Sequence, residues 1–184
     1  LSPDTPIYFS SALVSKDELK GILGGCFSPH YFPIELVENL THIQYLEFED
    51  AAKIIKSNCE ITSINLRHPG GASGYIFETN KGKFSYLLDH EYDDESALEI
   101  INASKKSDLI IWDGMFTPEE LSMRKGWGHS SIAQGNDFLI KSDSKKMGIS
   151  HHSPYRNDKD MTNLEKSFTN QNLFLAKEGQ TIKF

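Results

Sequence analysis

Cysteine is nearly absent. Cys26 and Cys59 are the two in 184 residues, and they form no Cys-x-x-Cys pair. This excludes a zinc knuckle and a disulfide framework, and leaves reduced thiols in a cytoplasmic protein as the expectation. Long apolar runs are missing as well. Nothing approaches the roughly 20 residues that a helix needs to cross a bilayer. Leu1 opens no charged-then-apolar signal pattern and there is no initiator Met, so the expectation is a chain that starts inside a longer product or after processing. An excess of positive charge is lacking too. The net charge of -7 argues against nucleic acid as a partner, because a phosphate backbone is held mainly by Lys and Arg. A local basic patch stays compatible with that balance. No internal repeat or low-complexity linker interrupts the chain, so a single domain over residues 1–184 is expected.

What is present fits a packed α/β protein. Hydrophobic residues make up 38% and aromatic residues 11% of the chain, enough to bury a core and to exclude global disorder. "PIYFSS" reads as a strand, and "SKDELKGILGGC" as a helix capped by Ser15, with Glu18 completing a capping box and Gly24 and Gly25 near its stop. "HIQYLEF" alternates as a strand does, while "AAKIIKS" is a turn of helix or a linker. "ITSINLRH" and "SGYIFETNKGKFSYLLD" read as strands, the latter folded at Asn80-Lys81-Gly82 into a hairpin. "DDESALEIINASKKS" carries Leu98, Ile100 and Ile101 on a helical stripe, and "DLIIWDG" is a buried strand. Thr117 caps a helix with Pro118 at its first position, and "HSSIAQGNDFLIKSD" is the next helix. "KKMGIS" is a short strand ending at His151, "DMTNLEKSFTNQ" a helix, and "NLFLAKEGQTIKF" a last strand pair.

Alternating strands and helices imply a layered α/β core with polar residues where strands leave the sheet. Three such exits carry metal-type side chains: His68 after "ITSINLR", Asp89 after "FSYLL", and His151 after "KKMGIS". Two imidazoles and a carboxylate at one sheet edge suit a borderline cation such as zinc, although any one of them alone fits a surface loop.

The strings "HPGGASGYIFETNKGKFSYLLDHE", "SDLIIWDGMFTPEELSMRKGWGHSS" and "ISHHSPYRND", in that order and at those separations, resemble the metallo-β-lactamase fold. The similarity is to the branch of phosphodiesterase-like hydrolases related to ribonuclease Z, and it extends to "HYFPIEL" and "AKEGQ". It implies the carboxy-terminal portion of a four-layer αββα sandwich. It makes His68 and His151 metal ligands and Asp89 the carboxylate that bridges two divalent ions, zinc first among the candidates. A hydroxide held with such ions is a nucleophile at neutral pH, because each metal lowers the pKa of bound water.

The same resemblance makes His129 an auxiliary catalytic histidine at a helix start, where it stabilises the transition state or protonates the leaving oxygen. The alternative for His129 is a simple helix cap. A helix start at Ser130 and Ser131 would favour an anion. Asp113 orients a histidine or caps a turn. Tyr155 and Arg156 match substrate-pocket positions, with solvated loop as the alternative, and Arg suits phosphate through its two-pronged donors. His152 stands where the family often has phenylalanine; it is the second candidate for the ligand after His151, with packing beside the site as the alternative, and His90 reads as a loop residue.

One departure is as informative as the match. The family's His-x-His-x-Asp-His signature, which supplies the remaining ligands, does not occur in the sequence. The expectation is a metal-dependent hydrolase of small phosphodiesters or other esters whose site is completed by an absent amino-terminal portion or another chain, a homodimer included. The alternative is a non-catalytic remnant that serves as a binding or interaction module. Neither reading calls for a membrane.

Overall fold

A computed structural model describes residues 5–29, 31–32, 42–56, 58–93, 95 and 97–183. Of "HYFPIEL", Tyr31 and Phe32 are described and the rest lies outside the described residues. The chain forms two compact units, residues 1–60 and 61–184. No helix among the described residues is long and apolar enough to cross a membrane.

In the first unit, strand β1 (Ile7–Phe9) pairs in parallel with β2 (Ile43–Tyr45), and the helices are α1 (Lys16–Cys26) and α2 (Phe48–Ile55). The Ser15 side chain accepts from the Glu18 N–H at 3.3 Å, which satisfies one of the donors a helix start leaves unpaired. Gly24 and Gly25 lie in the last turn of α1, near its stop as expected; the helix runs to Cys26 and closes with the Phe27 N–H on the Leu23 carbonyl. "HIQYLEF" is strand only to Tyr45. Glu47 stands at the N-cap position of α2 without a side-chain capping bond, and Glu49 and Asp50 fill its first turn, where acidic residues favour the helix dipole.

The second unit rests on a six-stranded sheet in the order β3-β4-β5-β6-β7-β8. Its strands are β3 (Glu60–Leu66), β4 (Ala72–Thr79), β5 (Gly82–Leu87), β6 (Leu109–Asp113), β7 (Met147–Ser150) and β8 (Leu173–Leu175). The hairpin β4–β5 is antiparallel, as the Asn80-Lys81-Gly82 turn implies, and β5 through β8 run parallel. Helices α3 (Ala97–Ser104), α4 (Pro118–Ser122), α5 (Ile132–Lys141) and α6 (Asp158–Lys166) link them. Capping boxes start three of these: Thr117 with Glu120, Ser131 with Gln134, and Asn157 with Asp160. Two expectations fail. Past β8 no strand forms among the described residues through 183, and Leu98 is 70% exposed while Ile100 of the same stripe is buried. α3 therefore turns a narrower face inward than its apolar count suggests.

The register places Leu87, Trp112, Ile149 and Leu175 side by side across the four parallel strands. All four are buried. This row is the floor of the core, and the next register position holds Asp113 beside Ser150. The polar edge of the sheet thus begins one residue above a dry layer.

Helix α5 packs on that row through a glycine. A Cβ on Gly135 would lie 2.7 Å from Trp112 Cδ1 and 3.1 Å from Met147 Sδ, and Trp112 is fixed by its indole N–H donating to the Ser131 carbonyl at 3.1 Å. In an open helix glycine to alanine gains about 1 kcal/mol. Here overpacking reverses the sign: Gly135→Ala is expected to lower stability by about 1–3 kcal/mol in urea unfolding, and an unchanged midpoint would show that Trp112 yields freely.

Candidate metal centre

Asp89 and His151 each lie just past the end of a parallel strand, at φ 59° and φ 55°. Left-handed backbone costs an L residue about 1–2 kcal/mol, and such residues cluster at functional sites because the surrounding structure imposes them. Both turns put side chains at the edge where Asp113 closes β6. His68 follows β3 and reaches the same place.

One carboxylate oxygen is the hub. Asp89 Oδ1 lies 3.3 Å from His68 Nε2, 3.7 Å from His129 Nδ1 and 4.0 Å from His151 Nε2. Asp89, Asp113, His129 and His151 each offer a donor atom within 4.8 Å of the others. The imidazole rings of His129 and His151 have centroids 4.8 Å apart, and those of His68 and His129 are 5.9 Å apart. A tetrahedral ion with bonds of ~2.0–2.1 Å sets its ligand atoms roughly 3.3 Å apart, so the His68–Asp89 separation fits a cation with nitrogen and oxygen ligands. Asp89 is half exposed and His68 and His151 are partly exposed, which leaves an approach from solvent.

Asp113 has a different part. It is completely buried. Its Oδ2 accepts from His129 Nδ1 at 3.0 Å and the His90 N–H at 3.3 Å, and its Oδ1 accepts from the Met115 N–H at 3.1 Å and the Ser130 N–H at 3.4 Å. With both oxygens occupied, this carboxylate orients His129 and also closes the turn at Met115, so both roles expected from sequence are filled. Holding Nδ1 against Asp113 leaves Nε2 of His129 for chemistry. His129 does not cap α5. Ser131 does, and the Ser130 hydroxyl donates to the His90 carbonyl at 2.6 Å. Both serines are buried, so the anion-binding helix start expected from sequence is taken up by the fold itself.

Glu91 is a residue that the sequence did not single out. Its Oε2 accepts from the Gly126 N–H at 2.6 Å and the Gly128 N–H at 3.2 Å. Gly126 and Gly128 have φ 86° and 87°, conformations open to glycine. A Cβ on Gly128 would collide with the His68 ring, so this loop abuts His68. The signal in the sequence was Gly-Trp-Gly beside a lone acid after a strand, which has meaning only once the two are near in space.

His90 has no regular secondary structure, yet it is wholly buried, with its ring edge against Trp112 at a centroid distance of 4.7 Å. Neither ring nitrogen has a hydrogen-bond partner among the described residues. Burial, reinforced by His129 and partly offset by Asp93, pushes its pKa down to about 3. His152 is half buried and stays outside the cluster; burial, then Arg156, lowers its pKa. Tyr155 is almost fully exposed. Arg156 donates to the Met115 carbonyl at 2.6 Å and to Glu120 Oε2, so its fork ties two loops together.

Two outcomes follow. Between pH 6.5 and about 3 the unfolded chain binds a proton at His90 that the folded chain refuses, so stability falls as pH drops through that window, by up to about 1.4 kcal/mol per pH unit. His90→Phe, which keeps a ring beside Trp112, is expected to flatten the dependence; an unchanged slope in urea titrations from neutral to acid pH would place the acid sensitivity elsewhere. His151→Gly and His151→Ala both delete the imidazole, but only glycine accepts φ 55° without strain. The glycine variant is expected to be more stable on the order of 1 kcal/mol, about 2–4 °C in melting temperature, and equal melting would show that the turn carries no strain.

Neither a protein-family model nor a curated protein sequence matches the chain. Solved structures do. The chain is similar to human tRNase Z, short form, at 17% identity and TM-score 0.54, over 68% of this chain and 42% of that one. It is similar to the metallo-beta-lactamase fold protein YhfI from Bacillus subtilis at 16% identity and TM-score 0.62, over 96% and 65%. A diphosphatase of the PhnP family matches at 14% identity and TM-score 0.56, over 96% and 57%. The chain thus spans less than two thirds of the length of each. A sheet edge that gathers three histidines around an aspartate, in a chain similar to these structures, identifies the metallo-β-lactamase fold.

Proposed function

We propose that the chain carries part of the metal centre of a hydrolase that cleaves phosphodiester bonds. The observation that supports this is the convergence of His68, His129 and His151 on a single Asp89 oxygen. His68, Asp89 and His151 would hold a divalent cation, zinc first, and the further donors of a two-ion site would come from an amino-terminal portion or another copy. When bound, the ions supply a water of lowered pKa and offset charge on the phosphoryl oxygens. His129, held by Asp113 at Nδ1, gives a proton from Nε2 to the leaving oxygen. Tyr155 contacts substrate at the exposed lip. Arg156 bears on the substrate pocket by fixing Met115 and Glu120 on its wall.

A small diester fits the acidic balance better than a structured RNA, although the similarity to a protein named tRNase Z sets RNA beside it as an alternative. Cys26 and Cys59 are free, in keeping with the cytoplasm. A second reading, a non-catalytic binding module, is favoured by the missing His-x-His-x-Asp-His string.

Zinc titration followed by an assay on bis(p-nitrophenyl) phosphate separates these readings. Zinc binding is expected to weaken at least about tenfold in His151→Ala and to survive in His152→Ala, since deleting even an outer-shell partner of a ligand costs 10–100-fold. Equal effects would refute the assignment of His151, and a wild-type chain that takes up no zinc would favour the binding module.

A further inference from the structure

The other end of the sheet in the second unit carries the opposite charge. Strands β5, β6 and β7 run parallel, so their starts lie together, a strand's length from Asp89, Asp113 and His151. Lys81 and Lys83 stand in the turn and first residues of β5, Lys105 and Lys106 in the loop before β6, and Lys145 and Lys146 in the loop before β7. Lys141 ends α5. Seven of the 19 basic residues of an acidic chain are thus gathered at one sheet end, and all seven are lysines.

Two of them are neutralised. Lys83 pairs with Glu78 at 3.4 Å, and Lys145 pairs with Asp108. Lys81, Lys105, Lys106, Lys141 and Lys146 are exposed and form no ion pair among the described residues, and the acid that stands near them is Asp143, also exposed, on the loop of Lys145. A basic residue in the last turn of a helix favours the helix dipole, which accounts for Lys141 and for none of the other four.

Like charges repel, yet the fold holds these loops together. The Lys106 N–H donates to the Ser142 carbonyl, the Lys145 N–H to the Ser107 carbonyl and the Ile110 N–H to the Lys146 carbonyl, each at 2.9 Å. Serines lock the loops from beneath. Ser107 Oγ lies 2.7 Å from Ser85 Oγ and donates to the Ser104 carbonyl, while Ser144 Oγ accepts from the Ser107 N–H at 3.1 Å and donates to the Ser104 carbonyl at 3.2 Å. Ser85, Ser104 and Ser107 are wholly buried. Lys106 itself is left-handed, at φ 59°, a conformation that side chains of its kind avoid. Solubility alone calls for neither the strain nor the locking.

We infer that this end of the sheet is a docking surface for an anionic lipid bilayer, bound peripherally and reversibly. Lysine, a hydrated point charge, suits a fluid array of lipid headgroups, whereas nucleic acid is held preferentially by the arginine fork. The apolar side chain left open beside these cations is aliphatic: Ile140, next to Lys141, is 67% exposed. An aliphatic side chain enters the headgroup layer, whereas single-stranded nucleic acid is gripped by open aromatic rings. The acidic balance of the whole chain does not oppose this, because at physiological salt a surface senses charge within about 8 Å. Docked through its lysines, the second unit turns Asp89 and the histidines away from the bilayer, open to solutes whatever chemistry they perform. The docking surface does not depend on the hydrolase reading.

Cosedimentation of the full chain with vesicles tests the surface. The protein is expected to pellet with vesicles of equimolar phosphatidylcholine and phosphatidylserine, to stay in solution with phosphatidylcholine alone, and to be released by high salt. Lys105→Gln with Lys146→Gln is expected to weaken the partition roughly thirtyfold, about fivefold for each charge. Lys125→Gln with Lys159→Gln, the same change in net charge at exposed lysines away from this end, is expected to leave it unchanged. Ile140→Ser, which keeps every charge, is expected to weaken it as well. Circular dichroism checks the fold of each variant, and the lipid selectivity and salt release of the unaltered chain need no variant at all.

No pelleting with phosphatidylserine, equal pelleting with both kinds of vesicle, equal loss in the two double variants, or no loss in Ile140→Ser would each overturn the docking surface. Polyuridylate is the rival ligand. If it displaces the chain from the vesicles and its binding is lost with Lys105 and Lys146, the lysines belong to nucleic acid and the lipid assignment falls. Failure of polyuridylate to displace the chain upholds it.

Discussion

A buried charge governs the active edge. Asp113 ends β6 with no solvent exposure, and a carboxylate in that position costs several kcal/mol unless its oxygens are fully hydrogen-bonded. The partners that satisfy it come from three separate stretches: the His90 amide after β5, the Met115 amide after β6, and the Ser130 amide with the His129 ring ahead of α5. Satisfying one anion therefore fixes the backbone of three loops at once. Asp89, the hub of the centre, is the immediate neighbour of one of those donors, and Phe116, whose ring stands edge-on to His129, follows another.

Glu91 extends the same logic outward. It accepts from Gly126 and Gly128, while its own amide donates to the Arg67 carbonyl at 2.8 Å, next to His68. Two acids two residues apart on one strand exit, Asp89 and Glu91, thus take opposite parts: the first keeps its oxygen for the imidazoles, the second gives its oxygen to backbone. His90 between them lies under the edge, its ring on Trp112 and its nitrogens without a hydrogen-bond partner among the described residues. His90 turns inward between the partly exposed Asp89 and Glu91, past the end of the ladder at Leu87 and through the turn that Asp89 makes at φ 59°.

Much of this was legible in the sequence, for identifiable reasons. Strand-end placement of Asp89 and His151 follows from short-range periodicity, and the Ser15 and Thr117 caps from local hydrogen bonding, so these appear where the pattern puts them. The choice of His68, Asp89, His129 and His151 over other polar residues came from the ordered set of motifs rather than from spacing, which left a surface loop open for each. What stayed hidden depends on distance in space. His90 has the sequence context of a loop, and only packing under Trp112 makes it a core residue. Leu98 belongs to an apolar stripe wider than the face that α3 buries. Glu91 and Gly128 lie on different loops, and neither has a local signature. Nothing in a sequence window announces φ near 60° at a histidine, because only the constraint of the surrounding fold makes that conformation worth its strain.

The order in which these constraints act bears on how the centre works. His129 is oriented by Asp113, the Gly126–Gly128 loop by Glu91, and Asp89 and His151 by turns whose hydrogen bonds run to the sheet, including Gly114 N–H to the Ser150 carbonyl and Ala176 N–H to the Ile149 carbonyl. None of these bonds needs an ion. The donor atoms are brought within reach of one another by the fold of the second unit, above the buried row of Leu87, Trp112, Ile149 and Leu175. A cation entering such an edge would meet Asp89, His129 and His151 already near one another, so less of its binding energy would go into ordering the chain.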